Sequence, residues 1–564
     1  MKVLKRSQAL ALYNDSITER EDYEVEWRAV SRYLLPARGV WNRTSKPRKR
    51  RVTNSAVVNP EAEDALYVLT SGFHGALTSP SRPWFRLDWS DSKVKEVEEL
   101  KAWLQECERR MHAALQQSNF YPAIESAYIE IAGFGINSMF IGSNNDGTDI
   151  PFYFEPLTAG EYSYAYGKLG QLAVYCRVIF MSQRQIVSTY KKAPRKLKNR
   201  VKLNASGVDI VDRSILEIIL QGEGDKPFKR FTYLLEDEKG FTSSEAPLAS
   251  ESFYEMPYVV GRWSSVARDT YALGPGVRAI PSVKSLQEVE KSIYMAAHKM
   301  VDPPTMAPAT LRGKLNTLPG GKNYYMNPND KIESLYNFRF DIQGAAAVAD
   351  RISKRITNIF YNDIFLTGSR DPNASPYKAT EVQAREQEKM LRLGPVVERL
   401  QHEFLKPIVE RCFNIMLRGG YFPELNPALA KMAGAYNISI VSPLATAQRA
   451  VALQGITSFL SFIGQAAQFK PDIMDNVDVD EAARDFGDIT GVRYGILRPE
   501  SAVKEIRATR AKMQAQQMAK EEAMAQAQAQ SQQEVQKAQA TKAQAEAGAT
   551  LIEGQKNATE AGIL

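Results

Sequence analysis

The sequence predicts a mainly α-helical protein carrying an α+β region at its N-terminal side, and three observations support this. Apolar residues recur at spacings of three and four through much of residues 281–418. Short aromatic runs bounded by Gly, Pro or Asn begin near residue 137. The chain then ends in Ala, Gln, Lys and Glu with no apolar stripe. At 564 residues and 44% hydrophobic composition it can bury a large core. Roughly 100–200 residues per domain gives three to five structural units.

The first third reads as helices followed by strands. Asn59 and Pro60 form an N-cap and first-turn pair, and Glu61 and Glu63 sit favourably in the opening turn. Leu66, Leu69, Phe73 and Leu77 follow at helical spacing. A second helix carries Val97, Leu100, Leu104, Cys107, Met111 and Leu115 on one face, a core-facing stripe. NSMFIG, PFYFEP and EYSYAY read as strands, with Gly167 to Gly170 as a hairpin turn. Leu172 to Met181, the most apolar run, is broken by Arg177 and reads as a buried strand. Residues 1–280 thus form one α+β domain.

Pro281 opens a helix with Val283, Leu286, Val289, Ile293, Ala297 and Met300 on one face, and Pro303-Pro304 ends it. Residues 305–343 are too rich in Pro, Gly and Asn for helix, with KNYYMN and KIESLYNF as short strands. A helix over about 345–365 follows, with Val348, Ile352, Ile356 and Ile359 at spacings of four and three. Two helices therefore flank a small β insertion. The stretch IFLTGSRDPNASPYKA is a loop of turn-forming residues. Thr380 caps the next helix, with Gln383 in capping-box position. From Thr380 to Arg418 that helix would span about 60 Å if straight, but Gly394-Pro395 and Pro407 predict kinks. Residues 440–500 look helical with breaks. The Ala/Gln-rich tail, 506–564, is either helical, frayed or bundled with other copies, or partly disordered.

Charge and motifs narrow the chemistry. A net charge of +7 is too small for wholesale phosphate neutralisation, so any nucleic-acid contact is local or multiplied by assembly. Three distant cysteines and four scattered histidines form neither a disulfide framework nor a zinc spacing, which favours reduced thiols. No stretch approaches the ~18 consecutive apolar residues of a membrane helix, and the N-terminus lacks the apolar core of a signal peptide. No phosphate-binding loop is present, since Gly320-Gly321-Lys322 leads into Asn323; nor is there a dinucleotide fingerprint or a GxSxG elbow. The acidic residues Asp88, Asp91, Asp475, Asp478 and Asp480 suit solvated caps or loops better than a two-metal site. No catalytic residue, metal or cofactor is expected.

Several segments, taken in order, are similar to the head-to-tail connecting (portal) proteins of T7-like short-tailed phages. LTSPSRPWFRLDW (77–89) matches that family's N-terminal signature, and the helix with Trp27, Tyr33 and Pro36 its opening element. MPYVVGRWSSVARDTYALGPGVRAIPSVKSLQ (256–287) resembles the passage into the first stem helix. Ala272-Leu273 depart there from the Gly and basic residue of many relatives, while the following Gly-Pro is kept. AAHKMVDPP, LPGGKNYY, KATEVQAREQEKMLRLGPVVERLQHEFLKPIVERCFNIM and IVSPLATAQRAVALQGI continue the series. The resemblance covers roughly residues 5–510 and excludes the tail.

That resemblance implies the portal fold. Residues 1–280 would be a wing, 281–302 and 345–365 two stem helices, and 303–344 a small β clip. Residues 366–379 would be a tunnel loop, 380–439 a long kinked wing helix, and 440–505 a helical crown. It also implies a homo-oligomeric ring, a dodecamer, at the capsid portal vertex of the virion, assembled in the host cytoplasm. Double-stranded DNA would pass without sequence specificity, and terminase, major capsid, scaffolding and tail adaptor proteins would be partners; no membrane is involved. Arg370, Asn373 and Lys378 in the tunnel loop and Arg351, Lys354 and Arg355 on the second stem helix are candidates to face DNA. Arg312, Lys314 and Lys322 are candidate clip contacts. Lys46, Arg48, Lys49, Arg50 and Arg51 form a basic run that would meet DNA or an acidic partner, or lie in a solvated loop. The rival readings are another ring-shaped virion component, such as a tail adaptor, and a DNA-processing enzyme.

Overall fold

The computed structural model describes residues 4–36, 57–91, 94, 97–144, 150–167, 170–203, 212–235, 245–265, 269–306, 316, 322, 324, 333–334, 341–366, 392–425, 427, 435–441, 455, 457–467, 477–480, 482–483, 486 and 500–560. The chain divides into two units, Met1–Ala452 and Leu453–Leu564.

In the first unit, helix α1 (Arg6–Tyr33) buries Trp27, whose Nε1 donates to the Phe134 carbonyl at 2.9 Å. Helix α2 (Glu61–Leu77) has Pro60, not Asn59, at its N-cap, and Asn59 Oδ1 accepts the Glu61 N–H at 2.9 Å from one residue further out. The expected stripe of Leu66, Leu69, Phe73 and Leu77 is fully buried. Strand β1 (Phe85–Trp89) and helices α3 (Glu98–Gln117) and α4 (Phe120–Phe134) follow. On α3, Leu100, Leu104, Cys107, Met111 and Leu115 all face the core.

Antiparallel strands β2 (Ile136–Ser143), β3 (Phe152–Leu157), β4 (Tyr162–Tyr166) and β5 (Leu172–Ser182) come next. Between β4 and β5, Gly170 takes φ +75, which suits the predicted hairpin turn. Short helices α5 (Gln183–Thr189) and α6 (Arg195–Leu203) lead to β6 (Asp212–Gln221), β7 (Phe228–Leu234), β8 (Ala249–Phe253) and β9 (Tyr258–Arg262). They make a three-stranded sheet, β3-β2-β9, and a five-stranded sheet, β4-β5-β6-β7-β8. The β5 run is not the fully buried strand its hydropathy suggests. Only Tyr175 and Cys176 are enclosed, the other residues are half-buried, and Arg177 pairs with Glu155 of β3.

Helix α7 (Pro275–Val301) starts at Pro275, not at Pro281, which lies inside it. Gly274-Pro275 supplies the preferred proline at the helix start and thereby overrides the downstream proline as the initiator. Its stripe is buried at Val283 and Leu286 but runs out towards its far end, where Met300 is exposed. Two-residue strands β10 (Thr305–Met306) and β11 (Glu333–Ser334) pair antiparallel between α7 and α8 (Ile342–Ile359). Asp341 caps α8 by accepting the Gly344 N–H at 2.9 Å. Ile356 is buried as expected, whereas Val348 is exposed. Tyr361, at φ 56, interrupts the predicted 345–365 helix, leaving α9 (Asn362–Phe365) as a separate turn.

The long helix is broken where proline chemistry requires. Among the described residues it begins as α10 (Gly394–Leu400), passes through a π-helical turn at Gln401–Leu405, and continues as α11 (Lys406–Arg418). Pro407 cannot donate to a carbonyl one turn back, and the wider turn before it removes the clash between its ring and that carbonyl. The helix stops at Arg418, where the sequence reading ended it. Residues 436–440 form β12 (Tyr436–Ile440), paired antiparallel with β1. The proposed cap at Thr380 and Gln383 lies outside the described residues. In the second unit, residues 457–466 are helical, and α12 (Glu500–Glu560) is one helix with nearly every described side chain exposed.

Candidate functional site

Two close backbone approaches seat the α7–α8 pair on the core. A Cβ at Gly276 would stand 2.3 Å from the Gly133 carbonyl oxygen, and Gly135, at φ +94, approaches Ala272 equally closely. Only glycine fits both positions, which accounts for Gly276 in the YALGPG stretch. Further along α7, the buried Gln287 locks the helix to the entry of α2. Its Oε1 accepts the N–H groups of Val58 and Asn59 at 2.6 and 2.9 Å, and its Nε2 donates to the Asn59 carbonyl at 2.8 Å.

Beyond this root, α8 carries the stem cations named from sequence. Arg351, Lys354 and Arg355 are exposed, and their spacing places them on the face opposite buried Ala349 and Ile356. None pairs with a carboxylate among the described residues. On α7, Tyr294, Met295, Met300 and Val301 are exposed, an unusual density of large apolar side chains. Lys322 is exposed. Arg370, Asn373, Lys378, Arg312, Lys314, Lys46, Arg48, Lys49, Arg50 and Arg51 lie outside the described residues.

At the end of α9 a set of contacts missed from sequence ties flanking segments together. Arg392 pairs with Asp363 at 3.3 Å and lies 5.4 Å from the Tyr361 ring centre. Phe365 sits against Gly72, where a Cβ would collide at 2.4 Å, and with Tyr67, Val68 and Leu366 lines an open cleft of about 530 Å³. In the π-helical turn, Glu403 receives both arms of Arg262, at 2.8 and 2.7 Å, and Arg262 also lies over the Tyr166 ring. Burial works to lower the Arg262 pKa, and the pairing with Glu403 and the nearby Tyr166 outweigh it, so the pKa is raised. The only advance signal for this pair was the proline that forces the turn.

The remaining titratable groups look structural. Burial pushes the Cys107 and Cys176 thiols up to about 12, and Cys412 is raised too, so none is poised as a thiolate. Among the described residues, no group of three or more His, Cys, Asp or Glu side chains could hold a metal ion. No described helix is long and apolar enough to cross a membrane. The apolar positions of the 77–89 signature are core, with residues 80–83 exposed between them: Trp84 stacks on Phe120, and Trp89 Nε1 donates to the Leu100 carbonyl at 3.2 Å.

Residues 6–497 match the family described as bacteriophage head to tail connecting protein, and the chain belongs to that family. Among its relatives, it is 31% identical over 538 residues to the probable portal protein of Bordetella phage BPP-1, covering 91% of this chain and 93% of that one. It is 29% identical over 501 residues to the portal protein of Salmonella phage epsilon15, covering 88% and 89% respectively.

Proposed function

We propose that the chain is one subunit of a portal ring at a single vertex of the phage head, the channel through which double-stranded DNA is packaged and ejected. The observation that carries this reading is the family match from residue 6 to 497, which spans the α+β region, the helix pair and the long helix together. Each subunit of such a ring, a dodecamer in this reading, meets its neighbour through two different faces. The exposed Tyr294, Met295, Met300 and Val301 suit such a contact.

In the ring, Arg351, Lys354 and Arg355 repeat as circles of positive charge around the duplex. They would touch phosphates without reading sequence, and the contact would weaken with salt. Arg370, Asn373 and Lys378 in the tunnel loop would act as a gasket against backsliding, not as a motor. Packaging energy would come from a terminase docked on the clip near Arg312, Lys314 and Lys322, with tail adaptors following. Capsid and scaffolding proteins would surround the wing in the host cytoplasm, where the head assembles.

The test is a full-length triple variant, Arg351→Gln, Lys354→Gln and Arg355→Gln, measured for binding to linear duplex DNA across a salt series. The slope of log affinity against log salt should flatten by about 0.9 for each phosphate that the variant no longer neutralises. An unchanged slope would remove these residues from the channel.

A further inference from the structure

The helical hairpin of α5 and α6 contains an uninterrupted run of positive charge. Residues 183–203 hold Arg184, Lys191, Lys192, Arg195, Lys196, Lys198, Arg200 and Lys202, and no Asp or Glu. These eight cations exceed the +7 of the whole chain, so the rest is slightly acidic. The hairpin is a built element, since Ile186, Ala193 and Leu197 are buried against Ile215 and Leu234. Lys191, Lys192, Arg195, Lys196 and Lys202 project to solvent on its other side. None of these five has a carboxylate partner among the described residues.

Local energetics run against this arrangement. The first turn of α6 has two cations and no acid, opposing the helix dipole. Lys196 with Arg200, and Lys198 with Lys202, are like-charge pairs one turn apart, each destabilising by a few tenths of a kcal/mol. Burial of Leu197 and its neighbours holds the helix despite them.

We infer that the exposed face of the α5–α6 hairpin is a binding surface for the phosphate backbone of double-stranded DNA, separate from the channel. Three features select this partner. Among residues 183–202, no large apolar side chain is exposed, so the face lacks the apolar and aromatic anchors of a protein interface. The apolar side is already buried, so nothing remains to enter a lipid surface. A duplex lying along the nine residues of α6, about 13 Å, presents about four phosphate charges per strand, comparable with the five cations of that helix. The choice of DNA as the polyanion rests on the portal reading. There, residues 183–203 fall in the wing and not in the stem or tunnel loop, so the hairpin would hold genome outside the channel.

Covalently closed circular duplex DNA tests this, because it has no end to thread through a closed ring. The variant is full-length protein with Lys192→Gln, Arg195→Gln, Lys196→Gln and Lys202→Gln; a second variant replaces the three lysines with arginine. The glutamine variant should bind circles about tenfold or more weakly than the unaltered protein, with a salt slope flatter by roughly three to four, while the arginine variant binds normally. Both should keep binding linear DNA through the channel, so failure of the hairpin surface and failure of the channel reading are distinguishable. Equal binding of circles by the glutamine and unaltered proteins would overturn the inference. If equal binding came with failure to enter heads, the face would be assigned to an acidic protein partner instead.

Discussion

His112 shows how a conspicuous sequence segment turns out to be core. Its ring stacks on Phe85 at 4.0 Å and its Nε2 lies 3.3 Å from the Phe85 carbonyl oxygen. Burial holds its pKa below the ordinary histidine range. Between that lowered value and about 6.5, only the unfolded chain takes up the proton, so stability falls as pH drops through this window. Buried Glu108 has a raised pKa, and its contribution falls as pH rises instead. The His112→Phe variant should therefore show a flatter acid side in Tm against pH than the unaltered protein. A Tm difference between the two that stays constant from about pH 5 to 8 would contradict this. At this scale the apolar positions were legible, because spacing alone names Leu66, Phe73 and Met111. Partners such as Asp363 with Arg392 were not, since nothing in the local pattern of either residue points to the other. The cations of residues 184–202 can be counted in the sequence, but the Lys46–Arg51 run is denser and masks them as the obvious basic patch.

Elements were read from periodicity, and the misreadings have identifiable causes. Strands β2 to β5 stand where the pattern puts them, the helix pair does so with shifted ends, and β6 to β9 were not read from the pattern. Helix α7 starts earlier because Pro275, with Gly274 before it, is the better initiator. Strand β12 was missed because its partner, β1, lies some 350 residues away, and the short YNISI run signals little alone. The π-helical turn could be anticipated only as a kink at Pro407. The seating of α7 on the turn after α4 depends on backbone contact at Gly276. Gly276→Ala should either lower Tm markedly or prevent folding, by about 3 kcal/mol or more if the helix must shift. A near-neutral change in thermal unfolding would show that α7 is held mainly by Gln287 and the stripe.

For the molecule as a whole, the family was recognisable because its motifs recur in order, and the match over residues 6–497 bears that out. Architecture was less legible. Apolar side chains such as Tyr294 and Val301 are exposed, and exposure depends on neighbours that one sequence does not name. The same holds for the 61-residue α12, whose composition favours helix yet offers no stripe to show what it packs against. Ring assembly is the claim on which the channel, the circles of charge and the hairpin surface all depend. Negative-stain electron microscopy of the purified full-length protein, with mass photometry on the same sample, tests it most directly. The portal reading predicts rings with a central hole and a mass near twelve times 63.1 kDa. A monodisperse monomer or a dimer, with no ring at any salt or protein concentration, would contradict it.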